Sequence, residues 1–324
     1  MVMAAGVGER LQPFTGRLPK PALPLMGVPM IQFALDALVR AGGVRDVVVN
    51  LHHLPEKLRA TVDQCERGRL QIHYSDETRL LLGSAGGLKQ ALPMLGAGGK
   101  EPFFFLNADT VSGVDLPALA DRHAELRAKH GVMMTLAITR MPDHPGEYRE
   151  LMVDAEGERI IEAGVKVAGK PFFTGVGVLE VEALADVPPG EPSDFFEKIL
   201  RPAIAAGKVG AFAFDGPWHD IGSPRHWHQA HLDFMSALDA KTLPPAWSAL
   251  VRKHCVRIGF EQWARKEAGA GREGAKDLNW EAPVFCGGKS LPKGLGPALV
   301  WYGEGKPKLT TQAIVFGNDG VEIS

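Results

Sequence analysis

The sequence predicts an α/β fold: a Rossmann-like, mostly parallel sheet sandwiched by helices, with a small β-helix-like extension at the C-terminal end. Over residues 1–125, short β-rich runs alternate with amphipathic helical stretches, which is typical of a parallel sheet covered by helices. Residues 102–106 are apolar at every position, as in a central strand buried on both faces. Residues 283–323 contain short apolar runs between glycines, which favours a few coils of a β-helix.

Each element follows from its local pattern. The predicted strands of the first half are residues 1–5, 44–50, 70–74 and 103–107, and the predicted helices are residues 30–41, 55–66 and 85–92. The first strand is a stub, so either it is short or the true start lies slightly upstream. After residue 130, strand-rich segments at 132–139, 151–153 and 172–179 and a helix near 193–206 indicate a second lobe laid against the same sheet.

The C-terminal part differs in composition from the rest. Residues 266–276 are rich in glycine, alanine and charge, which is typical of a linker. We therefore predict one domain over residues 1–240 and an extension over residues 241–324, made of a linker helix and the β-helix-like cap. About forty residues give too few coils for a stacked solenoid enzyme, so we expect the cap to serve as a cover or a homo-oligomer contact.

Composition excludes several classes of protein. The 324 residues carry a formal net charge of -2, whereas a protein that binds nucleic acid usually carries a large basic excess. No apolar run reaches the roughly 20 residues of a membrane span, and no secretory pattern opens the chain. Cys65, Cys255 and Cys286 are odd in number and far apart, which fits a reducing cytoplasm and disfavours a catalytic thiol. We expect a cytoplasmic protein without nucleic-acid or membrane partners.

The first motif covers residues 4–15 and 19–24. Its small residues after a strand, Ala4, Ala5, Gly6 and Gly8, let the backbone approach a phosphate chain and point amides at it. Arg10 and Lys20, each close to glycine or proline turns, are suited to neutralise phosphate charge. A dinucleotide-binding fingerprint would need a third glycine at position 11, where this chain has leucine, so hydride transfer is disfavoured.

Two carboxylates stand at strand ends. Asp109 follows the apolar strand at its carboxyl end, the edge where open α/β sheets bind ligands. Asp220 lies in a strand-turn-helix segment, and together they fit one hard divalent cation of the magnesium type. Asp115 precedes Leu-Pro and is assigned instead to capping a helix. The histidines near Asp220 have spacings that do not share one helical face, so zinc is disfavoured.

A fourth motif, Leu-Gly-Ser-Ala-Gly-Gly, spans residues 82–87 and opens a helix. Such small residues let a flat base lie against the backbone. They also serve in a tight connection between elements, and the sequence favours neither interpretation.

In combination and in order, these motifs resemble those of the sugar-1-phosphate nucleotidyltransferases over residues 1–235. The resemblance implies an enzyme that joins a nucleoside triphosphate to a sugar 1-phosphate and releases pyrophosphate. It implies that Arg10 and Lys20 contact phosphates and that Asp109 and Asp220 share Mg²⁺. The residues implied to bind the nucleotide are Ala4, Ala5, Gly6, Gly8, Gly83, Ser84, Gly87 and Asn107, and those implied to bind the sugar are Glu162, Thr174 and Gly175.

This chain departs from the family pattern at two places. Many relatives have Glu-Lys-Pro where it has Glu162-Ala163-Gly164, so the lysine that would bind the sugar phosphate is missing and Lys166 or Lys170 is a candidate substitute. Phe-Thr-Gly at 173–175 replaces Asn-Ala-Gly.

These departures resemble the N-acetylmuramate-1-phosphate uridylyltransferases, whereas residues 50–54 and 82–87 resemble the mannose-1-phosphate guanylyltransferases. The second resemblance is taken as the main prediction. Glucose-1-phosphate uridylyl- or thymidylyltransferases and a catalytically silent nucleotide-sugar sensor are the remaining alternatives.

Overall fold

A computed structural model of the protein describes residues 1–12, 14–95, 101–140, 148–165 and 169–259, and the strand segments 262–265, 284–286, 298–300, 314–317 and 320–323. Within these ranges, side chains are described up to residue 254, residue 165 excepted. The chain forms two compact units. The first unit consists of Met1–Gly8, Thr15–Ala22 and Ile31–Trp218, and the second of Glu9–Phe14, Leu23–Met30 and His219–Ser324.

The strands, numbered in chain order, are β1 Val2–Met3, β2 Pro24–Leu25, β3 Val28–Pro29, β4 Asp46–Leu51, β5 Gln71–Asp76, β6 Phe103–Asn107, β7 Thr110–Ser112, β8 Met134–Thr139, β9 Glu150–Val153, β10 Ile160–Val165, β11 Phe172–Leu179, β12 Val209–Ala213, β13 Trp218–Asp220, β14 Cys255–Gly259, β15 Gln262–Arg265, β16 Val284–Cys286, β17 Ala298–Val300, β18 Ile314–Gly317 and β19 Gly320–Ile323. The α-helices are α1 Met30–Arg40, α2 Pro55–Gln64, α3 Gly83–Ala91, α4 Leu116–His130, α5 Arg201–Ala205, α6 Pro224–Ala240 and α7 Pro245–His254. A π-helical turn, Phe196–Leu200, leads into α5. None of the helices in the described part of the chain has the length and apolar character that a membrane crossing requires.

A nine-stranded sheet organises the first unit. Its central strands run parallel in the order β6-β1-β4-β5, and Val2 pairs with Leu106 on one side and with Val49 on the other. The predicted second lobe needs a correction, because its strands continue this sheet. β11 pairs antiparallel with β6, β8 and β9 pair with β11, β10 pairs with β9, and β12 pairs parallel with β8.

Helices cover both faces of this sheet. Val47 and Val49 point into one buried cluster, which includes residues of α1, α2 and α4, while Val48 points into another that includes α3 and α5. This alternation follows from the two-residue period of a strand. As predicted, Asp115 caps α4, with its carboxylate accepting a hydrogen bond from the Ala118 amide at 3.0 Å. The predicted mixed α/β fold with a parallel central sheet between helices is confirmed.

The second unit is built around α6 and α7. Trp227 of α6 donates a hydrogen bond to the Pro24 carbonyl of the β2–β3 hairpin at 2.8 Å, and Phe234 stacks on Trp247 of α7 with ring centroids 5.5 Å apart. Beyond α7, β14 to β17 form an antiparallel sheet and β18 pairs antiparallel with β19. The β-helix-like cap stays a prediction, because most residues between these strands lie outside the described part of the chain. The predicted linker at 266–276 lies outside the described residues.

Candidate active site

Three parallel strands of the first unit end side by side. β6, β1 and β4 are neighbours, so the segments that follow them meet at the carboxyl edge of the sheet. There the Ala4 amide donates a buried hydrogen bond to the Asn50 side-chain oxygen at 2.6 Å. This bond fixes the start of the loop of residues 4–8, called here the glycine-containing loop, beside the end of β4.

The glycine-containing loop turns sharply at Gly8, whose φ of +71° favours glycine. A Cβ on Gly8 would lie 2.9 Å from Thr15 Cγ2 and 3.2 Å from Lys20 Cβ, so the turn also depends on the missing side chain. The Thr15 hydroxyl donates to the Gly8 carbonyl at 2.9 Å. Gly6 differs, because a Cβ there would meet nothing within 4 Å. The loop therefore leaves open space at Gly6 and is tightly packed at Gly8.

Lys20 and Asp109 form an ion pair at this edge. The Lys20 ammonium donates to the Asp109 carboxylate at 2.5 Å, and the two side chains are 11% and 31% exposed. Lys20 lies in a short 3₁₀ turn, and Asp109 lies between β6 and β7. The other Asp109 oxygen is 3.4 Å from the Thr110 hydroxyl. The sequence predicted both residues as site residues, and the fold brings them together from positions 89 residues apart.

A buried network that the sequence analysis did not predict supports the same edge. Asn50 donates to the Glu77 carboxylate at 2.7 Å, and the Leu82 amide donates to its other oxygen at 3.0 Å. Burial raises the pKa of Glu77, against the effect of these hydrogen bonds. His52 and His53 bond the carbonyls of Glu77 and Thr15, respectively, at 2.7 and 2.6 Å. The available sequence signals were the position of Asn50 at a strand end and the family resemblance of residues 50–54 and 82–87, neither of which indicates Glu77 as the partner.

The glycines of residues 82–87 make close contacts within the protein. A Cβ on Gly83 or Gly86 would approach the backbone carbonyl of Ser193 or Glu191 to 2.8 or 2.6 Å. A Cβ on Gly87 would lie 2.8 Å from the Glu77 carboxylate. This packing agrees with the interpretation as a tight connection, and base binding by Gly83 and Gly87 stays a prediction.

A cavity of about 270 Å³ opens beside the carboxyl edge of the first unit. Met3 at the end of β1 and Asn107 at the end of β6 line it. Ser84 also lines it and accepts a hydrogen bond from the Phe195 amide at 2.8 Å. The remaining lining residues are Leu88, Phe105, Tyr148, Arg149, Leu151, Phe172, Phe173, Asp194, Phe195, Phe196 and Leu200.

The three predicted sugar-binding residues lie in different surroundings. Thr174 is buried, its hydroxyl donates to the Ala137 carbonyl at 2.9 Å, and its own carbonyl accepts from Trp218. Gly175 has a φ of +83°, and a Cβ there would lie 2.8 Å from the Asn107 amide nitrogen. Glu162 is exposed on β10. The Thr174 hydroxyl is therefore engaged within the protein, and the lack of a side chain at Gly175 allows the Asn107 side chain to approach the backbone. Of the candidate substitutes for the missing lysine, Lys166 lies outside the described residues.

In the second unit, Arg10 and Asp220 converge on Gly222. A Cβ on Gly222 would lie 2.7 Å from the Asp220 carboxylate and 2.9 Å from the Arg10 guanidinium. His226 Nδ1 is 4.0 Å from the same carboxylate. The two predicted residues are therefore neighbours, with the ends of both side chains close to the Gly222 backbone.

The histidines near Asp220 have separate environments. His219 lies 3.6 Å from Asp233, and burial lowers its pKa more than Asp233 raises it. His231 accepts a hydrogen bond from the Met26 amide at 3.1 Å through Nε2 and bonds the Trp227 carbonyl at 2.9 Å through Nδ1. Among the described side chains, no three histidine, cysteine or acidic residues form a group that could hold a metal ion.

Comparison with known proteins decides the family. A family model described as "Nucleotidyl transferase" matches residues 1–237. The chain belongs to this family. It is similar to the mannose-1-phosphate guanyltransferase of Aspergillus fumigatus, with 29% identity over 76% of this chain and 67% of that protein. It is also similar to those of Yarrowia lipolytica, with 30% identity over 74% and 65%, and of Arabidopsis thaliana, with 31% identity over 70% and 62%. The predicted membership of the sugar-1-phosphate nucleotidyltransferases is confirmed, and this nucleotidyltransferase chain spans about two thirds of the length of these relatives.

Solved structures share the fold. HddC from Yersinia pseudotuberculosis covers 72% of this chain with a TM-score of 0.59 and 20% identity, and 97% of that chain is matched. A second structure of HddC, in complex with GMP-PN, gives a TM-score of 0.60.

Proposed function

We propose that this nucleotidyltransferase couples a sugar 1-phosphate to a nucleoside triphosphate, and that mannose 1-phosphate and GTP are its preferred pair. The observation that carries the proposal is the Lys20–Asp109 ion pair beside the Gly8 turn, at the carboxyl edge of the parallel strands. The transfer of a nucleotidyl group requires that phosphate charge is neutralised and that the two substrates are aligned. A partly buried ammonium can neutralise phosphate charge, and the carboxylate beside it can hold a cation.

The reaction needs no nucleophile from the protein. An oxygen of the sugar phosphate attacks the α-phosphorus of the nucleotide, a new P–O bond forms, the bond between the α-phosphorus and the bridging oxygen breaks, and pyrophosphate leaves. Lys20 and Arg10 would neutralise phosphate charge, and the amides of residues 5–8 would orient the triphosphate. Cys65 is unsuited to covalent catalysis, because burial raises its pKa to about 12.

We propose that Asp109 and Asp220 hold a divalent cation of the magnesium type. Mg²⁺ is usually held by one or two carboxylates, with substrate phosphates and water completing its shell. Asp109 and Asp220 provide two such carboxylates, although they belong to different units of the chain. When bound there, Mg²⁺ would offset charge that develops on the phosphates.

The relatives support this choice of substrates. Those named above are mannose-1-phosphate guanyltransferases, and one HddC structure contains GMP-PN. N-acetylmuramate 1-phosphate with UTP and glucose 1-phosphate with UTP or dTTP remain the alternatives.

Pyrophosphate release should be screened with GTP, ATP, UTP, CTP and dTTP against the 1-phosphates of mannose, glucose, N-acetylglucosamine and N-acetylmuramate. We expect the largest kcat/KM for GTP with mannose 1-phosphate, and a different best pair would replace this substrate assignment. Nucleotide binding without turnover of any pair would favour the sensor instead.

The C-terminal extension is proposed to make a homo-oligomer contact in a cytoplasmic enzyme whose transferase domain covers residues 1–240. A truncated chain should end after His254, because Trp247 of α7 is buried against Phe234. Light scattering should give a smaller multiple of the monomer mass for this chain than for the full-length protein. Equal multiples would contradict the proposed contact.

A further inference from the structure

The cavity beside the carboxyl edge combines an aromatic wall with a single cation. Phe105 packs against Phe173 and Phe195 with ring centroids 5.7 and 5.3 Å apart. Among the described residues that line the cavity, Arg149 is the one lysine or arginine. A positive group over an apolar wall is suited to a ligand that has both a low-polarity surface and an anionic group.

The guanidinium of Arg149 is held by an aromatic ring. Its Cζ lies 4.2 Å from the centroid of Phe196, a cation–π distance. Arg201 approaches the same ring at 5.2 Å but is paired with Glu197 at 3.4 Å and does not line the cavity. No carboxylate of the described residues is within ion-pair distance of Arg149. A cation–π contact holds the guanidinium over the ring without using its N–H groups in hydrogen bonds, so they can serve an acceptor.

Sheet register explains how this charge reaches the cavity. Arg149 immediately precedes β9, and Leu151, two residues later, lines the same cavity. Ala163 of β10 pairs with Leu151, so the position where relatives have lysine lies beside the cavity wall but carries only a methyl group. A Cβ on Gly164 would lie 3.5 Å from Phe196 Cζ. The cation at this place therefore comes from the segment before β9 and not from β10.

We propose that Arg149 binds the phosphate of the sugar 1-phosphate. The inference rests on the proposed function, because that reaction requires an anionic acceptor at the edge where Asn107 and Asp109 lie. A phosphate dianion needs a cation of its own, and Lys20 and Arg10 are already assigned to the phosphates of the nucleotide. Guanidinium offers two parallel N–H groups to phosphate oxygens, which fixes orientation as well as charge.

The kinetic test compares Arg149→Gln with the matched control Arg201→Gln. Loss of a charged hydrogen-bonding partner is expected to raise the KM for the sugar 1-phosphate by about 10- to 100-fold, while the KM for the nucleotide changes less than about twofold. Arg149→Lys should recover part of the loss. R201Q should resemble the wild type, because its guanidinium is engaged by Glu197. An unchanged KM in R149Q, or an equal rise in both KM values, would overturn the inference.

Calorimetric titration separates this inference from the proposed function, because binding needs no turnover. The wild type should bind the sugar 1-phosphate more tightly than the free sugar, and R149Q should lose that difference. If the wild type shows this difference but makes no nucleotide sugar, the proposed function fails and the assignment of Arg149 stands. A loss confined to sugars that carry a carboxylate, or no binding of any sugar 1-phosphate by the wild type, would overturn the assignment.

Discussion

At the scale of single residues, the Lys20–Asp109 pair is the feature most closely tied to chemistry. Replacing Lys20 by Gln removes a positive charge where phosphate charge is proposed to develop, so kcat/KM for nucleotidyl transfer should fall by about 10²-fold or more. Stability should change little, because Asp109 is 31% exposed and remains hydrated.

A matched control for the Lys20 variant is Lys57→Gln, which also removes a lysine of the first unit. Lys57 donates to the Arg17 carbonyl at an exposed position. Pyrophosphate release should be near normal in K57Q. Near-normal release in K20Q as well would refute the role assigned to Lys20.

His231 makes the stability of the second unit depend on pH. Burial lowers its pKa from 6.5 to about 3, so the folded ring stays neutral while the unfolded chain binds a proton below pH 6.5. Stability is therefore fully present above pH 6.5 and is lost as the pH falls towards 3, by about 1.4 kcal/mol per pH unit for this group.

The variant His231→Gln tests this dependence, because its amide can accept from Met26 and donate to Trp227 as the ring does. Urea unfolding between pH 4 and 6.5 should show a pH slope smaller by up to about 1.4 kcal/mol per unit than in the wild type. An unchanged slope would mean that His231 binds a proton equally in the folded and unfolded states.

Residue contacts were the part of the site that the sequence predicted least. Asp109 and Lys20 were predicted because each stands in a motif beside a strand or turn. Asn50, Glu77 and Arg149 were not, because their partners lie far along the chain or depend on the register of β9 and β10. Local pattern gives no information about such pairings.

At the scale of elements, the glycine-containing loop distinguishes two uses of glycine. Gly6→Ala should leave the melting temperature unchanged, because nothing lies within 4 Å of the new Cβ, yet should reduce nucleotide binding by occupying the space proposed for the triphosphate. Gly8→Ala should lower both the melting temperature and the affinity for nucleotide. The φ of Gly8 is +71°, and a Cβ there would press on Thr15 and Lys20.

Thermal unfolding and calorimetric binding of GTP measure the two effects separately. If G6A binds GTP as tightly as the wild type, the loop does not hold the triphosphate at Gly6. If G8A is as stable as the wild type, the turn tolerates a side chain and the packing argument fails.

Elements marked by a continuous apolar run were predicted well. β6 and β11 occur at the predicted residues 103–107 and 172–179, because short apolar runs rich in aromatic and β-branched residues are typical of buried strands. The helix predicted at 193–206 occurs as a π-helical turn and α5, from 196 to 205, after a segment that packs against Gly83 and Gly86. The β2–β3 hairpin was missed, since its strands of two residues carry no period.

At the scale of the whole molecule, the proposed chemistry draws on both units. Lys20 and Asp109 belong to the first unit, and Arg10 and Asp220 belong to the second. The central claim is that Asp109 and Asp220 act together on one divalent cation. Groups that act as one catalytic unit are not additive when they are removed in combination.

The most direct test is a double-mutant cycle of Asp109→Asn and Asp220→Asn, read as kcat for pyrophosphate release at saturating substrates and Mg²⁺. Each single variant should lose about 10²-fold or more. The double variant should be no slower than the slower single variant, because the shared cation is already lost. Losses that multiply in the double variant, or a single variant with near-normal kcat, would contradict the claim.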